Sequence, residues 1–311
     1  MRIKIFLFHR VNPVRDRLWD PMDPIHFRRV ISYLKKHFDI FKLEDMILHP
    51  QEYAKAKKPL AAVVFDDGYR DFIDYAMPVL SELNTKASMY IITDAASKGI
   101  PPWTYILDYT FLHSGKLKVD YDLSALPQEL QVSGWNNTNE RIAYGKILKP
   151  VLKSFSHTER NEFLNQVSDS FNDVNLPSDL FMTWKDIKEV FENGIEIGSH
   201  TVSHPLLGTI SDETILKTEL RDSGLEIEKN IGKFPLAISY PVGSYNDKVK
   251  LLSQAAGYSM GLAVNQRSYD SDVHDRFAIP RIELYNEGMF KTKMRIKEVI
   301  FKINHLLGRS A

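Results

Sequence analysis

The sequence predicts an α/β protein in which a parallel sheet, its strands joined by crossover helices, closes into a barrel of about seven strands. Short apolar runs rich in β-branched and aromatic residues recur at 3–8, 38–41, 60–65, 87–92, 194–197, 236–239, 260–264 and 277–282, the length and composition of buried strands. Longer segments with helical spacing of apolar residues separate many of them, at 27–37, 71–83, 184–191, 214–231 and 247–256. This alternation is the pattern of a parallel sheet with crossover helices. About seven or eight such units favour a closed barrel, with an open doubly wound sheet as the alternative.

Taken in order, the run from Met1 to Arg10 is interrupted by Lys4 and is far too short for a secretory apolar region or a membrane span. It reads as a buried first strand that delivers His9 to its end. No later segment approaches roughly 18 uninterrupted apolar residues, and the expected location is the cytoplasm, at the membrane surface if the last helix touches lipid. Residues 98–178 break the alternation: they hold Pro101-Pro102-Trp103, a polar stretch from Ser133 to Asn137, and two helices near 141–153 and 157–171. They are expected to form a helical insertion over the barrel mouth, within one domain spanning 1–311. The run 290–307 sets Lys291, Lys293, Arg295, Lys297 and Lys302 against Met294, Ile296, Val299, Ile300, Ile303 and Leu306. That is a basic amphipathic helix, which either packs on the barrel exterior or rests on an anionic membrane surface.

Composition narrows the function classes. The 311 residues exceed the roughly 100–200 of an ordinary domain but suit one α/β barrel, and 43% hydrophobic residues supply a sizeable core. Lys+Arg and Asp+Glu are each 40, so the formal net charge of +0 offers no overall field to gather nucleic acid. With no cysteine, disulfides and thiolate ligands are excluded, and a metal must be held by histidine and carboxylate.

Such residues stand where predicted strands end. Val63-Val64-Phe65 runs into Asp66-Asp67-Gly68-Tyr69; Asp-Gly is an ordinary turn signal, yet adjacent carboxylates at the end of a buried strand carry an electrostatic cost that a cation would relieve. Glu196-Ile197-Gly198 runs into His200 and His204, whose i, i+4 spacing puts both rings on one face if the backbone turns helically. Together they offer two imidazoles and a carboxylate, the set that catalytic zinc sites use while leaving a position open for water. A metal there lowers the pKa of such a water toward roughly 7, and a second carboxylate can take its proton during attack on a carbonyl. Asp67, His200 and His204 are therefore the expected metal ligands and Asp66 the expected base.

At this point the chain resembles the polysaccharide deacetylases, the NodB-homology or carbohydrate esterase family 4 enzymes. The resemblance rests on Phe65-Asp66-Asp67-Gly68 and His200-Thr201-Val202-Ser203-His204, and extends to His9-Arg10-Val11 and Ser239-Tyr240-Pro241-Val242-Gly243. It implies an irregular (β/α) barrel and a hydrolase of carbon–nitrogen bonds that removes N- or O-acetyl groups with a divalent metal, zinc first, with nickel, cobalt or ferrous iron accepted. Its partner would be an acetylated sugar, oligosaccharide or glycan precursor, in surface polysaccharide synthesis or modification. The third motif departs from the usual pattern: Ser239 and Val242 replace an arginine that orients the base and a tyrosine whose amide binds the oxyanion. The Val242 N–H can keep the second role, and Arg281 is the expected substitute for the first. The usual late histidine is also missing, and His9 is the expected general acid. Trp103, Tyr69 and Tyr240 are candidate sugar contacts. These departures leave two alternatives, a non-catalytic metal- and carbohydrate-binding relative and a hydrolase of another C–N or ester bond on the same scaffold.

Overall fold

Six consecutive apolar residues make up β3 (Leu60–Phe65), which is buried along its whole length, as a strand lying between two packed layers must be. The computed structural model describes residues 1–306. In it β3 pairs in parallel with β1 (Arg2–Phe8) on one side, and with β2 (Asp39–Ile40) and β4 (Ser88–Ile91) on the other. The sheet continues through β5 (Glu196–Ser199) and β6 (Ala237–Ser239) to β7 (Met260–Leu262), every one of these pairings parallel. β8 (Tyr269–Asp270) runs antiparallel to the start of β1, and β9 (Ile282–Glu283) pairs in parallel with its end. Closure comes from a bridge between Leu262 and Ile279, three residues before β9, so the curled sheet is brought back to its first strand. The predicted run 277–282 is strand only at its end, since Pro280 within it has no N–H to give to a ladder.

Inside the curl, Ile3, Ile5, Leu7, Ala62, Val64, Met260 and Leu262 form one apolar cluster; outside it, Phe6, Phe8, Val63, Phe65, Met89 and Ile197 meet the helices. The α-helices of the described residues are α1 (Pro24–His37), α2 (Leu43–Leu48), α3 (Met77–Glu82), α4 (Thr93–Lys98), α5 (Trp103–His113), α6 (Thr138–Ser154), α7 (His157–Ser170), α8 (Trp184–Glu192), α9 (Glu213–Lys217), α10 (Ser223–Ile231), α11 (Asp247–Ala256), α12 (Met289–Ile296) and α13 (Val299–Leu306), of which α1, α3, α8, α10 and α12 bury residues in that outer cluster. Side chains start several of them: Asp23 caps α1 ahead of Pro24, and capping boxes open α7 (Ser156, Glu159) and α8 (Thr183, Asp186). α5 escaped the sequence reading because its buried residues, from Tyr105 to Phe111, fall on several sides of the helix and blur the 3.6-residue period.

The segment 98–178 is a helical elaboration with its own apolar cluster, including Phe111, Trp135, Leu148 and Phe163. It packs over the C-terminal ends of the strands. The expected single helix at 290–307 is corrected: it breaks between α12 and α13, where Glu298 adopts a φ of +61°, and Leu307 lies outside the described residues. Membrane contact through it is not supported by the charges of α12. Arg295 and Lys291 pair with Glu287, Lys293 sits over the Tyr33 ring, and Ile296 is buried.

Candidate active site

β1, β3, β5 and β6 end on the same side of the curl, and a cavity of about 220 Å³ there is lined by His9, Asp66, Asp67, His200, His204 and Val242. Asp66 and Asp67 follow β3 directly, and the chain then turns through residues of positive φ, Asp67 at +75° and Gly68 at +83°. Gly198 in β5 lets the interior Tyr90 ring pass beneath the site, since a Cβ there would lie 2.3 Å from it.

The segment from His200 to His204 is not helical, which corrects the expected geometry. Thr201 and His204 have positive φ, and the loop is tied from below by the buried carboxylate of Glu219, which accepts hydrogen bonds from the N–H groups of Val202 and Ser203 and from the Ser203 hydroxyl. The rings nonetheless converge. Asp67 Oδ1 lies 3.3 Å from His200 Nε2 and 3.6 Å from His204 Nε2. The Ser239 carbonyl oxygen lies 2.8 Å from His200 Nδ1, which places the proton on that nitrogen and leaves Nε2 as a ligand atom. Asp67 Oδ1 is buried without a hydrogen bond, an orphaned acceptor facing two imidazoles. One atom from each of Asp67, His200 and His204 lies within 4.8 Å of the others, a donor set that fits a divalent ion.

Asp66 sits beside this group, its Oδ2 3.9 Å from His200 Nε2. Arg281 Nη1 donates to Asp66 Oδ1 at 2.8 Å, and the Ser239 hydroxyl donates to Oδ2 at 3.0 Å. Arg281 is itself fully buried, with Nε donating to the Ala263 carbonyl. Burial acts to raise the Asp66 carboxyl, but Arg281 and then His200 outweigh it and hold it below the usual carboxylate range. Burial, with the charge of His200 beside it, pushes His204 down to about 3. Both effects suit the chemistry: the base stays ionised and His204 stays neutral for a metal.

His9, at the end of β1, lines the cavity; its Nδ1 faces Glu283 Oε1 of β9 at 3.5 Å, and its ring meets the edge of Trp19. Three expected sugar contacts are corrected. Tyr240 is fully buried, stacked on Tyr245, with its hydroxyl close to Gly261, where a Cβ would lie 2.1 Å away. Tyr69 is buried against Phe181 and beneath the Arg10 guanidinium. Trp103 packs on the cluster of the insertion under Arg160. Cavity residues that the sequence reading did not single out for the site are Trp19, Thr104, Asp108, Lys149, Lys153, Val264 and Glu283.

The comparisons with known proteins bear on the family and the fold. The polysaccharide deacetylase family model matches residues 53–261. The poly-beta-1,6-N-acetyl-D-glucosamine N-deacetylase of Staphylococcus epidermidis is 27% identical over 222 residues, 66% of this chain and 72% of that protein. The protein YxkH of Bacillus subtilis is 28% identical over 103 residues, and that match spans only 36% of its length and 33% of this chain. The Streptococcus pyogenes deacetylase PplD, solved with acetate, has a TM-score of 0.60 at 16% identity, over 94% of this chain and 98% of its own, and so shares the curled α/β fold. With the family model covering most of the barrel and both signature motifs inside its span, the chain belongs to the polysaccharide deacetylase family.

Proposed function

We propose that this chain is a divalent-metal N-deacetylase of acetylated sugars, acting in the synthesis or modification of a surface polysaccharide. The observation that carries the reading is the convergence of Asp67, His200 and His204 beside an ionised Asp66 held by Arg281 and Ser239. The family, and the N-acetylglucosamine polymer named for the Staphylococcus relative, support the substrate class. Zinc is the preferred ion for two imidazoles and a carboxylate. When bound, it would supply a Lewis acid for the acetyl carbonyl and lower the pKa of a water toward roughly 7. Asp66 takes the proton of the attacking water, and its two hydrogen-bond donors keep it aimed at the cavity. The Val242 N–H, on a turn with φ +56° at the cavity wall, donates to the oxygen that gains charge. His9 protonates the departing amine nitrogen, with Glu283 orienting the ring.

Acetate release from N-acetylglucosamine oligosaccharides tests this, with the zinc-loaded parent and Asp66→Asn compared. Release by the parent, reduced about 10²- to 10⁴-fold in Asp66→Asn, is expected. Equal rates in the two would remove the base assignment. His204→Ala should lose zinc on dialysis, read by elemental analysis; full retention would remove the metal assignment.

A further inference from the structure

α6 of the insertion carries Lys146, Lys149 and Lys153 at intervals of three and four residues, one face of a helix. Lys149 and Lys153 line the same cavity as Asp66, Asp67 and His200. Of the lysines and the arginine around that cavity, Lys153 alone makes no ion pair among the described residues. Asp66 is matched by Arg281, and Asp67 belongs to the metal group. Asp108 is matched by Lys149. Glu283 faces His9 at 3.5 Å and accepts from the Tyr285 hydroxyl at 2.5 Å. Among the described residues no carboxylate lies within ion-pair distance of Lys153. Lys153 is exposed at the cavity rim; desolvation of its ammonium, and then the neighbouring charge of Lys149, push it below its ordinary pKa against the opposing charges of Glu283 and Asp108. Two ammonium groups side by side at the lip of a metal site repel each other, and an anion entering between them would relieve that repulsion.

We propose that the sugar deacetylated here carries an anionic group, a phosphate or a carboxylate, which docks on Lys149 and Lys153 while its acetamido group reaches Asp66 and the metal ligands. This rests on the deacetylase reading above and adds the substrate class to it. Lysine is a point charge without the fixed fork of arginine, so the pair takes either anion, and the experiment separates the two. The insertion thus does more than cover the barrel: it brings the charge that selects the substrate.

The test measures kcat/KM for acetate release by the zinc-loaded protein from three probes: N-acetylglucosamine 1-phosphate, N-acetylglucosaminuronic acid and the neutral methyl glycoside of N-acetylglucosamine. The parent should prefer at least one anionic probe, and which one identifies the group. Lys153→Ala should lower the ratio of anionic to neutral kcat/KM about tenfold, and Lys153→Glu should lower it further. Raising the salt concentration should shrink the preference in the parent. A parent that prefers the neutral glycoside, or a ratio unchanged in both variants, overturns the proposal. Absence of acetate from every probe would instead count against the deacetylase reading. The same probes are then titrated calorimetrically into zinc-loaded Asp66→Asn, with and without Lys153→Ala. Tighter binding of an anionic probe that depends on Lys153 upholds the anion site, and equal binding of charged and neutral probes overturns it.

Discussion

Each end of the barrel buries a pair of carboxylates, Asp66 and Asp67 at the mouth and Glu44 and Glu196 at the opposite end, and the two pairs are shifted in opposite directions. At the mouth, Arg281, Ser239 and two histidines surround the acids, and both lie below the usual carboxylate range although burial alone would raise them. At the other end, Glu44 on α2 meets Glu196 at the start of β5. Burial, followed by the charge of Glu196, pushes Glu44 up to about 8, and Glu196 is raised as well, chiefly by burial, despite the Ser88 hydroxyl bonded to it at 2.7 Å. Equal depth therefore does not decide ionisation. At the mouth Arg281 and the histidines outweigh burial, whereas Asp71 beside Arg10 and Asp108 beside Lys149 stay raised, so a paired cation reverses the shift only where its contacts with the acid exceed the cost of burial.

The largest effect should come from removing that cation. Arg281→Met leaves Asp66 buried with only the Ser239 hydroxyl, and breaking a buried ion pair from one side costs about 3–5 kcal/mol. A fall of that size in unfolding free energy in denaturant is expected, along with loss of acetate release. Adding Asp66→Asn to Arg281→Met should return part of the stability, because the uncompensated charge is gone. A single variant within about 1 kcal/mol of the parent would show that the pair matters less than its burial indicates.

The opposite end should respond to pH with a defined sign. Glu44 has its folded pKa raised above its ordinary value of 4.5, so the stability it contributes is present below 4.5 and is lost as pH rises through about 8. Across that window unfolding free energy should fall with pH at up to about 1.4 kcal/mol per unit, the limit for one proton. Glu44→Gln keeps the shape without the charge and should flatten the slope. An unchanged slope would move its origin to another group.

How legible this was from the sequence follows the distance between partners. Asp66, Asp67, His200 and His204 could be found because each pair follows a predicted strand, strongly apolar before Asp66 and a short Glu196–Ser199 segment before His200, and a barrel collects strand ends at one mouth. Arg281 lies 215 residues from Asp66, and only the closure of the sheet through Leu262 and Ile279 brings them together. Tyr240 was misjudged for a reason the sequence did contain: successive strand residues face opposite sides, and with Ser239 turned to Asp66 its neighbour must turn away. Lys149 and Lys153 carry no local signal. A helical face with lysines is ordinarily solvated, and only the folding of the insertion over the mouth gives it a site to face.

The smallest expected effect is the most discriminating within the mouth. Ser239 serves two neighbours with two different groups: its hydroxyl donates to Asp66 Oδ2, while its main-chain carbonyl receives His200 Nδ1. Ser239→Ala removes the first contact and keeps the second. The base then loses one of its two donors, at a cost of about 1 kcal/mol, or roughly fivefold in kcat/KM. Zinc retention should not change, since the His200 ring keeps the carbonyl that orients it. If zinc is lost together with activity, the hydroxyl supports the whole loop rather than the base, and the proposed division of labour between Asp66 and the group of Asp67, His200 and His204 would have to be redrawn.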